Sequence, residues 1–204
     1  MEWPQIVTAI KDIVLAVAAG ITAFVAVSGI RKWRQELEGR AGFEAARSLA
    51  KATYRLRDEL HSCRSPLITG NEFPPGYFDN RNPSSDEQAR ATAHVYKSRW
   101  EPVKEATAEF DAQVLEAESL WGGPIREKTA TLRNCVVELR VAIEAVIDDK
   151  ASGGADFKSD PEFGKKMRRI VSGTASSKDN PLSQQISTSV AAIESELKQH
   201  LGRS

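Results

Sequence analysis

The amino-acid sequence predicts an all-α protein: a single N-terminal transmembrane helix, then an antiparallel, up-and-down four-helix bundle with a short extra amphipathic helix. Three observations predict this class. One uncharged run near the N-terminus is long enough to cross a bilayer. The remaining chain repeats its apolar residues at helical spacing, and no segment alternates β-branched or aromatic residues between turn signals as a strand would. The expected organisation is an anchor over residues 1–30 and a helical bundle over 31–204.

From Ile13 to Ile30 the chain carries 18 residues without a charge. As a helix they cover roughly 27 Å of a hydrocarbon layer about 30 Å thick. Ile13, Leu15, Val17, Ile21, Phe24, Val27 and Ile30 supply the lipid-facing bulk. Trp3 and Trp33 bracket the run at positions suited to the two headgroup layers. Arg31, Lys32 and Arg34 crowd its C-terminal side, whereas Glu2, Lys11 and Asp12 give the other side no basic excess. The positive-inside rule then places the N-terminus outside and the bundle in the cytoplasm, at the inner or plasma membrane. Two alternatives compete. A buried core helix rarely lacks a polar stripe, and a cleaved signal peptide ending near Ala26-Val27-Ser28 would have its basic cluster on the wrong side. Ala9, Asp12, Ala16, Ala19, Ala23 and Ala26 recur at alternating steps of three and four, a stripe of small residues along which a second copy could pack as a homo-oligomer.

The first bundle helix is expected from about Arg31 to Cys63, with Leu49, Thr53, Leu56, Leu60 and Cys63 on one face, ending at Arg64-Ser65-Pro66. Gly39 and Gly42 weaken its start, and whether it continues the membrane span is left open by the sequence. The second helix opens with a capping box, Ser84 and Glu87. Its seam runs through Ala89, Ala93, Tyr96, Trp100, Val103, Thr107, Phe110, Val114, Ala117 and Trp121, in coiled-coil-like heptads, with a kink expected at Pro102. Gly122-Gly123-Pro124 marks a tight reversal. The third helix, to about Asp149, turns Ile125, Thr129, Leu132, Val136, Leu139, Ile143 and Val146 inward. A short helix over 160–171 is expected to bury Phe163, Met167 and Ile170. The last begins at Asn180-Pro181 and carries Leu182, Ile186, Val190, Ile193 and Leu197.

Charge and motif content narrow the function. Equal numbers of basic and acidic residues, 28 of each, argue against a nucleic-acid binder, and two cysteines are too few for a disulfide scaffold. No phosphate loop, dinucleotide turn, nucleophile elbow or zinc-protease pair is present. No catalytic residue, cofactor or small-molecule substrate is therefore expected. Metal binding is not expected either, because Asp58 with His61 and Glu196 with His200 fall short of the paired inward carboxylates and histidines of a di-iron bundle. Cys63 and Cys135 sit on or beside apolar seams, where a thiol behaves as a small hydrophobe.

What remains is interaction. The two long connections, about 64–83 and 150–180, hold an aromatic loop with Phe73, Tyr77 and Phe78 and a basic cluster of Lys165, Lys166, Arg168 and Arg169. These are the candidate surface for an unidentified protein partner. The expected function is a membrane-anchored scaffold that tethers this partner at the cytoplasmic face. A sensor or regulatory subunit signalling through a continuous first helix is the alternative, and an exported helical domain is the second.

Overall fold

The computed structural model describes the backbone of residues 3–173 and 180–202, and the side chains from residue 15 onward within those ranges except 16, 19 and 23. Its helices are α1 (Trp3–Cys63), α2 (Ser85–Trp121), α3 (Pro124–Ala151), α4 (Ala155–Ser159), α5 (Pro161–Val171) and α6 (Pro181–Leu197), with single 3₁₀ turns at Gly70–Glu72 and Tyr77–Asp79 and no strand among the described residues. The chain divides into two compact units, Met1–Glu44 and Ala45–Ser204.

In the first unit the described backbone is α1 alone. Among the described residues no helix is long and apolar enough to cross a membrane. The spanning helix expected over 13–30 is therefore unsupported there. An unbroken apolar stretch of the necessary length would need positions 13, 14, 16, 19 and 23, and their side chains lie outside the described residues, as does that of Trp3.

The second unit is a helical bundle. From Ala45 onward α1 buries one face, through Ala45, Ala46, Leu49, Ala52, Thr53, Leu56, Leu60 and Cys63. Helix α2 opens on the expected capping box: Ser84 Oγ accepts from Glu87 N–H at 3.3 Å and Glu87 Oε2 accepts from Ser84 N–H at 2.7 Å. The helix continues through Pro102 to a C-cap at Gly122, whose φ of 83° lies in the left-handed region that glycine enters without steric cost. Pairs Arg133–Asp111 and Arg126–Glu118 step in opposite senses along α2 and α3, so the two helices are antiparallel. Arg55 pairs with Glu105 and Glu109 while Arg99 reaches the carbonyls of Cys63 and Ser65, which sets α1 antiparallel to α2. Trp121 stacks on His200, ring centroids 3.9 Å apart, and places the C-terminal end of α6 beside the α2–α3 turn. At the opposite end, Gly153 lies against Ser85, and both long connections run there.

Leu182, Ile186, Val190, Ile193 and Leu197 of α6 and most of the expected α3 face enter one core with Leu49, Leu56, Leu60 and Phe110. Two expectations are corrected. Phe163 is 43% exposed rather than buried, because α5 turns Gly164, Met167 and Ile170 inward and Phe157 of α4, a turn of helix not foreseen, packs against Gly164. The two rings meet edge to face at 5.9 Å. Gly164 makes the approach feasible, since a Cβ there would stand 2.6 Å from Phe157 Cβ. On the first half of α2 the buried positions are Ala89, Ala91 and Val95, whereas Tyr96 and Trp100 are only partly covered. The 64–84 connection packs on this part of the helix and rotates its buried face away from the heptad seam.

Candidate functional site

Three surfaces bear on function: the apolar N-terminal helix, the two long connections, and a cleft between α2 and α3. Along α1, Leu15, Val17, Ile21, Phe24, Val25, Val27 and Ile30 are 50% to 73% exposed. At about 100° per residue these side chains point in every direction, with no gap wider than about 80°. The apolar residues beyond Ala45 keep to one face instead. Arg31, Lys32, Trp33 and Arg34 follow the encircled segment, all exposed.

The aromatic loop is built as a unit. Phe73 and Tyr77 stack at 5.0 Å, and Phe78 meets both edge-on at 5.1 and 5.2 Å. Arg99 of α2 fastens the loop. Its guanidinium donates to both oxygens of Glu72 and to the carbonyls of Ser65 and Leu67. This fork, with the Thr69 N–H, holds the Glu72 carboxyl down at about 2. Phe78 stays 64% exposed, and a cleft of about 220 Å³ opens between Pro74–Tyr77 and Glu87–Ala91.

The basic cluster lies elsewhere. Lys165, Lys166 and Arg169 line a cleft of about 180 Å³ with Glu138 of α3, Glu162 and Pro181, and Arg168 lies over the Phe157 ring at 5.2 Å. All four are exposed. The aromatic loop therefore rests on α2, and the basic helix on α3 and the start of α6.

Where α1, α5 and α6 converge, Arg64 is fully buried. Its Nε donates to the Ile170 carbonyl at 2.7 Å, Nη1 to Ser183 Oγ at 3.0 Å and Nη2 to Asn180 Oδ1 at 2.7 Å. All three acceptors are neutral, and burial pushes the guanidinium below its ordinary value. Gly173 donates to the Arg64 carbonyl at 3.1 Å, and a Cβ at Gly173 would collide with Nη2. This is an architectural lock, sealed from solvent.

The third surface was not foreseen. Ala93, Tyr96, Lys97, Trp100 and Lys104 of α2 face Arg140, Ile143, Glu144 and Ile147 of α3 across an open cleft of about 350 Å³. Tyr96 and Trp100 were assigned to the seam by their spacing. The lysines flanking them at 97 and 104 were the available signal of a solvent-facing site.

No protein-family model matches the chain, and no curated protein and no solved structure is significantly similar to it.

The remaining reactive groups are placed for packing. Cys63 and Cys135 are buried and unbridged, and burial raises both thiols to about 11. His61 has a buried Nδ1 without a hydrogen-bond partner among the described residues, and burial, then Arg64 and Arg57, push its pKa down. His200 is committed to the Trp121 stack. Among the described residues no three His, Cys, Asp or Glu side chains group to hold a metal.

Proposed function

We propose that this protein is a membrane-anchored helical interaction module, its N-terminal helix set in the bilayer with the N-terminus outside, and its bundle tethered at the cytoplasmic face. One observation carries the reading: between Leu15 and Ile30 large apolar side chains are exposed on all sides of the helix. A helix that packs on a protein buries one stripe, and one that is apolar all round belongs in a core or in lipid. The following Arg31, Lys32 and Arg34 supply the cytoplasmic flank. Tethering raises the bundle's effective concentration toward other membrane-bound partners, and the Phe73–Tyr77–Phe78 loop and the Lys165–Arg169 helix offer two exposed recognition surfaces.

Alkaline extraction of membranes from cells expressing the full chain tests the anchor. The parent should remain in the membrane pellet, and Ile21→Lys with Phe24→Lys should release it, since each central lysine costs about 2.5–3.5 kcal/mol. Release of the parent would refute anchoring. A C-terminal reporter active only in an oxidising compartment should stay silent, and activity would reverse the orientation.

A signalling subunit is the second reading. It is favoured by the helical backbone of α1, which runs from Trp3 to Cys63 without a break at Gly39–Gly42. One alanine inserted there rotates the following helix by about 100°. A signalling helix loses its output, whereas a passive tether tolerates the change.

A further inference from the structure

The α2–α3 cleft has an apolar floor, a rim that is mostly cationic, and polar groups that can only gain from an acceptor. Its floor is Ala93, Tyr96, Trp100, Ile143 and Ile147. Around it stand Lys97, Lys104 and Arg140, with Glu144 in the lining and Glu101 beside Lys104. Lys104 pairs with Glu101 and Arg140 with Glu144, both at 3.0 Å, with side chains 58% to 66% exposed. Ion pairs this exposed contribute little and exchange partners readily. Lys97 has no acidic partner among the described residues, and neither does the Trp100 indole N–H have an acceptor. Indole and ammonium groups only donate. An occupant that brings carboxylates to the rim and apolar side chains to the floor satisfies all of these at once.

The shape selects among such occupants. The cleft is open to solvent and runs between two antiparallel helices over roughly 15 Å of α2, from Ala93 to Lys104. A small anion would leave most of that surface wet, whereas small-molecule sites enclose most of their ligand. Two antiparallel helices with a groove between them fit the apolar stripe of a third helix.

We infer that the Tyr96–Trp100–Ile143–Ile147 cleft docks an amphipathic helix of a protein partner whose apolar stripe is flanked by acidic residues. This goes beyond the interaction-module reading on which it rests, adding a third recognition surface at α2–α3 to the two loops and naming its partner's chemistry. It stands apart from the anchor, so failure in alkaline extraction and failure here are separate results.

The test is fluorescence anisotropy with two synthetic, helix-favouring peptides of about 15 residues carrying leucine at i, i+3, i+4 and i+7. One is flanked by glutamate and the other by lysine, and each is titrated with the full chain in detergent micelles. The glutamate peptide should bind saturably and weaken with salt, and the lysine peptide should not bind. Lys97→Glu, at an exposed position, should weaken the glutamate peptide about tenfold and strengthen the lysine peptide. Trp100→Ala should abolish binding of the glutamate peptide, with circular dichroism confirming the fold. Equal binding of the two peptides, no saturable binding of either, or indifference to Lys97→Glu would overturn the inference. Binding of dodecanoate but not the peptides would replace it with a lipid-anion site. Self-association lost in Trp100→Ala, without peptide binding, would replace it with a second copy of this chain.

Discussion

Replacing Arg64 by methionine tests whether a buried cation bonded, among the described residues, to neutral acceptors holds this bundle together. Methionine keeps most of the volume, so the cavity contribution is small. Two acceptors, the Ile170 carbonyl and Ser183 Oγ, lose the Arg64 bond, while Asn180 Oδ1 keeps its bond from Ser183 N–H at 3.2 Å. A hydrogen bond from a charged donor contributes about 1.5–3 kcal/mol, and part of the loss of these bonds is offset because the cation no longer has to be desolvated. The expected loss is about 3 kcal/mol. With a urea slope of about 2 kcal/mol/M it moves the midpoint down by about 1.5 M. Gly173→Ala should cost about 2 kcal/mol on its own, because its Cβ displaces the guanidinium. The double variant should be no less stable than Arg64→Met alone, since the clash disappears with the arginine. Urea unfolding of the four proteins, followed by circular dichroism, completes the cycle. An Arg64→Met protein as stable as the parent would show that desolvation outweighs the hydrogen bonds. Strict additivity would show that Gly173 matters for some reason other than Arg64.

Three further outcomes follow from the geometry. Glu72 sits at about 2 in the fold against 4.5 as its ordinary value, so its bond to Arg99 stabilises fully above about 4.5 and is lost as the pH falls toward 2. Urea titrations should show Glu72→Gln less stable than the parent by about 1 kcal/mol at pH 6, after allowance for solvent screening, and equal to it near pH 2. An unchanged gap at pH 2 would remove the ion pair from the account. Gly164→Ala should cost about 1–3 kcal/mol by driving a Cβ into Phe157, read as a lower thermal midpoint, and Phe157→Gly, which removes the Cβ nearest to it, should relieve the clash in the double variant. Cys63 and Cys135 should resist a thiol reagent in the folded protein and react in denaturant. Their raise from 9.0 to about 11 alone lowers the thiolate fraction about a hundredfold, and burial adds to it. Prompt labelling of the native chain would contradict both burial and shift.

The helices themselves were written in local sequence. Ser84 with Glu87, Asn180 before Pro181, and Gly122-Gly123-Pro124 are short-range signals whose donors and acceptors lie within four residues, so they hold whatever surrounds them. The apolar faces of α3 and α6 repeat at helical spacing and could be read the same way. Phe163 could not, since its exposure depends on α4 presenting Phe157, and a single turn of helix leaves almost no periodic trace. Tyr96 and Trp100 sat at seam spacing. Only the packing of the 64–84 connection on α2, through Arg99 and Glu72, decided which side of that helix was covered and left the cleft open. Arg64 is the clearest case. As a charge after a helix end it reads as solvent-facing, and its burial depends on Ile170, Asn180 and Ser183, which lie 106, 116 and 119 positions away along the chain. Sequence alone determined where α2, α3 and α6 begin and how α3 and α6 turn their apolar faces, because those choices are made by groups within a few residues. The tertiary structure decided which polar groups are enclosed and which grooves stay open, because the enclosing atoms come from segments the chain brings together only on folding.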